Sequence, residues 1–123
     1  MVNNRRRGHG WELETIHQLK EIFPKAVSSR QESRTLDAAK VDICYTPPFN
    51  FQCKLHTQKV NYPEILASMP EEGINVILHK FATRTKTNFT TQGRYAILNY
   101  DDFLNLLYER DGFIKKYQEN IHS

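Results

Sequence analysis

Pro47-Pro48-Phe49-Asn50 turns the chain between two β-rich runs, Val41-Asp42-Ile43-Cys44-Tyr45 and Phe51 to Leu55. These two runs read as the strands of a hairpin, and their short connection makes them antiparallel neighbours in a sheet. Ahead of it, His9 to Phe23 predicts a helix: Trp11, Ile16, Leu19 and Phe23 lie close to helical spacing, and Pro24 ends the run. Glu12 precedes Ile16 by four positions, so it lies near the apolar stripe, an unusual place for an acid. Glu14 points more nearly to solvent. Ser28 to Arg34 is polar and reads as a loop or a short strand end.

Beyond the hairpin, Tyr62 to Met69 predicts a short helix with Pro63 in its first turn. Asn75 to Phe81 reads as a buried strand, Thr83 to Gly93 as an exposed hairpin loop, and Tyr95 to Leu98 as another strand. Asp101 or Asp102 caps a last helix with Phe103, Leu104, Leu107 and Tyr108 on its inner face, and Gly112 ends or interrupts it. The order α-β-β-α-β-β-α predicts an α/β protein with a mixed central sheet flanked by helices. No linker or repeat divides the 123 residues, so one domain over 1–123 is expected.

Composition narrows the function classes. Hydrophobic residues make up 39% and charged residues 25%, ordinary for a globular chain with its own core. No apolar run reaches the roughly 20 residues of a membrane span. The start of the chain is polar and basic, unlike a signal peptide, so the expected compartment is intracellular, the cytoplasm of a cell or of a virus's host. Cys44 and Cys53 do not make a disulfide framework. His9, His17, His56, His79 and His122 show no metal-ligand spacing and read as surface or hydrogen-bonded histidines. The net charge is +3, but Arg5-Arg6-Arg7 opens the chain, and Arg30, Arg34, Lys54, Lys59, Lys80, Arg84, Lys86 and Arg94 follow. These cations suit either a solvated surface or one that binds phosphates by releasing counterions.

Glu12, Asp42, Gln52 and Lys54 carry the chemistry. Gln52 and Lys54 are two apart on a strand and project from one face. Asp42 joins that face if the hairpin pairs residues whose positions sum to an even number, and Glu12 approaches from the packed helix. Cys44 then shares that face and Cys53 lies on the other, so the two thiols stay unbonded. Hard oxygen ligands with a lysine suit phosphodiester hydrolysis: the oxygens hold Mg²⁺ and the lysine stabilises the transition state. A polar strand face with ordinary surface charge is the alternative from residue types alone.

Order and context add a resemblance. Val41-Asp42-Ile43 followed by Gln52-Cys53-Lys54 resembles the PD-(D/E)XK nuclease core, in a variant with Gln for the second acid and without the preceding Pro. Arg7-Gly8-His9-Gly10-Trp11-Glu12, with Glu12 four positions after Gly8, is similar to the opening of the archaeal and phage Holliday junction resolvases of that superfamily. Val76-Ile77-Leu78-His79-Lys80-Phe81 looks like their later strand ending in a basic residue and Phe. The likeness runs over about residues 5 to 100, and the last helix has no matching motif.

The resemblance implies a restriction-endonuclease-like core and a metal-dependent endonuclease for four-way junctions or other branched DNA, acting as a homodimer. It implies Glu12, Asp42 and Gln52 as ligands of Mg²⁺, with Mn²⁺ a possible substitute, and Lys54 as the catalytic lysine. Arg5, Arg6, Arg7, Arg30, Arg34 and Lys80 would contact DNA phosphates. Gln52 removes a negative charge, so two alternatives accompany this reading. One is a module that binds nucleic acid on a nuclease scaffold without cutting. The other is a repair nuclease for duplex DNA.

Overall fold

The computed structural model describes residues 4–56, 60–84 and 89–110. The chain is an α/β protein built on a five-stranded mixed sheet with helices against it. Helix α1 (Asn4–Leu19) leads into β1 (Val27–Ser28), then α2 (Ser29–Glu32), α3 (Arg34–Ala38) and β2 (Ile43–Cys44). Strand β3 (Phe49–His56), helix α4 (Tyr62–Ser68), strands β4 (Ile74–Arg84) and β5 (Phe89–Leu98), and helix α5 (Tyr100–Arg110) follow. The strands lie in chain order, β1-β2-β3-β4-β5, all antiparallel except β3 with β4. A parallel pair needs a crossover, and the segment carrying α4 supplies it.

Each face of the sheet follows from strand alternation. Phe49, Phe51 and Cys53 on β3 and Ile74, Val76 and Leu78 on β4 turn toward α1. There Ile16, Ala26, Ile43, Phe51 and Val76 form the buried centre, with Leu19 and Phe23 packed against it. Burial of such side chains contributes roughly 1.5–3 kcal/mol each. Trp11 is buried and donates its indole N–H to the Leu78 carbonyl at 2.9 Å, which fixes the helix on the sheet. Gln52, Lys54, Ile77 and His79 occupy the other face, on the side of α4. Gly73, at φ 89°, lets β4 begin against the hairpin turn: a Cβ there would come 2.8 Å from the Pro48 carbonyl oxygen.

Several elements differ from the sequence reading. Helix α1 begins at Asn4 rather than His9, through the basic segment, and ends at Leu19, ahead of Pro24. The polar stretch after Val27 forms two short helices instead of a loop; Ser33 caps the second by accepting the Leu36 N–H at 3.2 Å. The first hairpin strand shrinks to Ile43–Cys44, while β3 starts two residues early, at Phe49. Strands β4 and β5 extend into the Thr-rich region, because β-branched residues suit a ladder as well as a loop. The tip of that hairpin, 85–88, lies outside the described residues, as does Gly112.

The α5 cap is Asn99, whose side chain accepts the Asp101 N–H at 2.9 Å; Asp101 and Asp102 lie in the first turn. The inner face expected for α5 is not buried: Phe103, Leu107 and Tyr108 are exposed and Leu104 is half-buried. Apolar spacing marks a face of a helix but does not say which element meets it. No helix among the described residues is long and apolar enough to cross a membrane.

Candidate functional site

Glu12 and Asp42 come near one another where α1 lies against β1 and β3, whereas Gln52 and Lys54 lie on the sheet face away from α1. Glu12 is buried although it is an acid, as its position beside the apolar stripe predicts. The serine that opens the route to α2 explains how it is held. Ser28 Oγ donates to Glu12 Oε1 at 2.8 Å, and the Arg30 guanidinium stands 3.7 Å from Oε2. Arg30 is half exposed, so it neutralises the acid while still facing solvent. An isolated buried carboxylate is costly, and these two partners offset that cost. A carboxylate has about four lone-pair directions, so Glu12 keeps acceptor capacity beyond them.

Asp42 stands just before β2. Its N–H donates to the Phe51 carbonyl at 2.8 Å, while Ile43 pairs with the same Phe51. Two residues meet one, the arrangement of a β-bulge, which re-aims a side chain at a strand end. The Ile43–Phe51 pair does have the even position sum that the common face requires, but the regular ladder stops at Asp42. The carboxylate instead reaches across to β3, where Oδ2 accepts the Cys53 N–H at 2.7 Å. That N–H lies in the peptide between Gln52 and Cys53, one residue from Lys54.

Burial pushes the Asp42 carboxyl above its ordinary value, and the Glu12 charge adds to the rise. The Cys53 N–H, Lys54 and Arg30 pull the other way. Asp42 thus feels the charges of Glu12, Lys54 and Arg30. Gln52 is buried, and its Oε1 has no hydrogen-bond partner among the described residues. A buried acceptor left unpaired costs about 1–3 kcal/mol, and such an atom calls for an explanation.

The thiols follow the alternation. Both are free. Cys53 lies on the α1 side, where its Sγ meets Thr15 Oγ1 at 3.3 Å. Burial pushes its thiol up to about 12, against the Thr15 hydrogen bond and helped by the Asp42 and Glu12 charges.

The cations expected to grip phosphates divide. Arg30 belongs to the site, and Lys54 extends from β3 half-buried. Arg34 is exposed on α3. Lys80 is not brought to the Lys54 face. Strand β4 continues past it to Arg84, and alternation turns Lys80 toward α1. There it pairs with Glu14 at 3.2 Å and lies 5.4 Å over the Trp11 ring. The phosphate contacts expected of Arg5, Arg6 and Arg7 lie outside the described side chains.

No family model, no curated protein and no solved structure matches the chain. The site therefore has to be read from its own chemistry. Two carboxylates and a buried, unpartnered amide oxygen are hard oxygen donors, the type that suits Mg²⁺ or Mn²⁺. Among the described residues no three His, Cys, Asp or Glu side chains cluster. Sequence reasoning missed Ser28 and the Cys53 N–H. Neither carries a motif: Ser28 ends the two-residue β1, and the Cys53 N–H is a backbone donor inside β3.

Proposed function

We propose that the chain is a Mg²⁺-dependent endonuclease for branched DNA, the reading its resemblance to the PD-(D/E)XK resolvases implies. One observation carries it: Gln52 buries an unpaired amide oxygen next to the peptide that anchors Asp42, with Lys54 two residues on. Glu12, Asp42 and Gln52 would hold the metal, whose chemistry is charge neutralisation and activation of water.

The chain's own residues prepare the rest. The Cys53 N–H orients Asp42, Ser28 orients Glu12, and Lys54 supplies a cation to the phosphate as its charge develops. Arg30 neutralises the carboxylates and reaches toward the backbone of the DNA. Two copies related by a two-fold axis would make the symmetric pair of cuts that a four-way junction requires. The protein would work in the cytoplasm of a cell, or of a virus's host.

A second reading, DNA binding without cleavage, is favoured by Gln52 standing where an acid would add charge. Incubation of a synthetic four-way junction with Mg²⁺, and separately with EDTA, decides between them, with linear duplex as control. Cleavage of the junction with Mg²⁺ alone is the expected result. Binding without cleavage supports the second reading, and neither binding nor cleavage contradicts both.

A further inference from the structure

A row of side chains crosses the sheet beside Lys54. In the parallel pairing of β3 with β4, Lys54 lies opposite His79, and in the antiparallel pairing of β4 with β5, His79 lies opposite Tyr95. Paired residues share a face, so these three stand side by side on the face away from α1. The two strand spacings from Lys54 to Tyr95 amount to about 10 Å.

The row is aromatic beyond the lysine. His79 is fully buried and its Nδ1 hydrogen-bonds the Tyr62 hydroxyl at 2.8 Å. The His79 and Phe81 rings are 4.0 Å apart between centroids, and Phe81 meets Tyr95 edge-on at 6.1 Å. Gly93 seats the last ring: a Cβ there would come 2.5 Å from the Tyr95 hydroxyl. The shelf is thus rigid at its centre. At the free edge of the sheet it ends in a tyrosine that is 53% exposed.

We infer that this shelf receives a DNA base released from stacking at a branch point, while Lys54 holds the neighbouring phosphate. The inference rests on the DNA reading above and adds the feature of the substrate that is recognised. Two physical points carry it. An exposed aromatic ring over a packed aromatic support is a stacking platform, indifferent to sequence because every base has a π-face. A cation on the same face supplies the complementary charge for the phosphate. A fully paired duplex keeps its bases inside the stack, whereas a branch point interrupts stacking.

The test compares wild-type protein, Tyr95→Ala and Tyr95→Trp in EDTA. The two DNAs are a four-way junction and a linear duplex, with 5-iododeoxyuridine at the branch point or the matching paired position. Tyr95→Ala is expected to weaken junction binding about tenfold and duplex binding less than twofold. Tyr95→Trp is expected to keep junction affinity. Irradiation should crosslink the branch-point base to the peptide containing Tyr95. Equal loss on both DNAs, no loss on either, or a crosslink elsewhere overturns the shelf. Mg²⁺-dependent cleavage of the same junction, measured in parallel, judges the nuclease reading by itself. A wild-type protein that cuts while Tyr95→Ala binds unchanged loses only the shelf; one that binds neither DNA loses both.

Discussion

Glu12 and Glu14 stand two positions apart on α1, and each faces an arginine or lysine from another element, yet their surroundings differ in kind. Glu14 lies half open to water between Lys80 at 3.2 Å and Arg94 at 3.5 Å. Glu12 is buried between a serine hydroxyl and Arg30, with Asp42 nearby to repel it. The first cluster has the shorter ion pairs, but exposed pairs contribute only about 0.2–1 kcal/mol because water and salt screen them. The second sets a buried acid beside a partly buried one, an arrangement that packing alone does not favour. What separates the two clusters here is the burial of the acid, not the closeness of the ion pairs.

Activity should split the two clusters most widely. Lys54→Ala is expected to lower junction cleavage by about 10²–10³ or more, the scale of losing one transition-state donor. Glu14→Gln should stay within about twofold of wild type. Rates under single-turnover conditions make the comparison. Equal losses in the two variants would remove the distinction.

Stability should separate them less, and in the same direction. Ser28→Ala removes a hydrogen bond to a buried charge, and about 1.5–3 kcal/mol should be lost in urea denaturation at pH 7. Glu14→Gln should cost about 1 kcal/mol or less, and less still in high salt. A larger loss for Glu14→Gln would show that the Lys80 cluster is the structural centre of the helix contact.

How much of this could be read from the sequence depends on the range of the cause. The burial of Glu12 against the exposure of Glu14 follows from helical spacing and was legible. So were the shared face of Gln52 and Lys54 and the opposed cysteines, which need only period-two alternation. The bulge at Asp42 was not, because it depends on where a two-residue strand meets Phe51. Nor was the place of Lys80, because the length of β4 decides whether a lysine ends a strand or sits inside it. Exposed aromatic residues on α5 show the same limit: spacing gives a face, and tertiary packing decides its use.

A smaller effect concerns Cys53. Its thiol is held up to about 12, so its contribution to stability is full below the ordinary thiol value of 9.0 and is lost as the pH rises through about 12. Native protein at pH 9 should therefore react slowly with iodoacetamide, and both cysteines should react once the chain is unfolded. Rapid alkylation of Cys53 in the folded protein would place it outside the packed side of the site.

Asp42 would link the site to the proposed metal. Its raised carboxyl contributes stability below the ordinary carboxylate range and loses it as the pH rises through its folded value, so at neutral pH the ionised group is a cost to the fold. A divalent cation that binds the ionised form removes that cost. The most direct measurement is thermal unfolding at pH 7.5 with increasing Mn²⁺, on wild type, Asp42→Asn and Glu14→Gln, followed by anomalous diffraction from a Mn²⁺-soaked crystal. The account predicts a stabilisation approaching about 2.7 kcal/mol at a hundredfold excess over Kd for wild type and Glu14→Gln, absent in Asp42→Asn. It also predicts one anomalous peak among Glu12, Asp42 and Gln52. An unchanged melting curve at saturating Mn²⁺, or a peak away from those three residues, would contradict it.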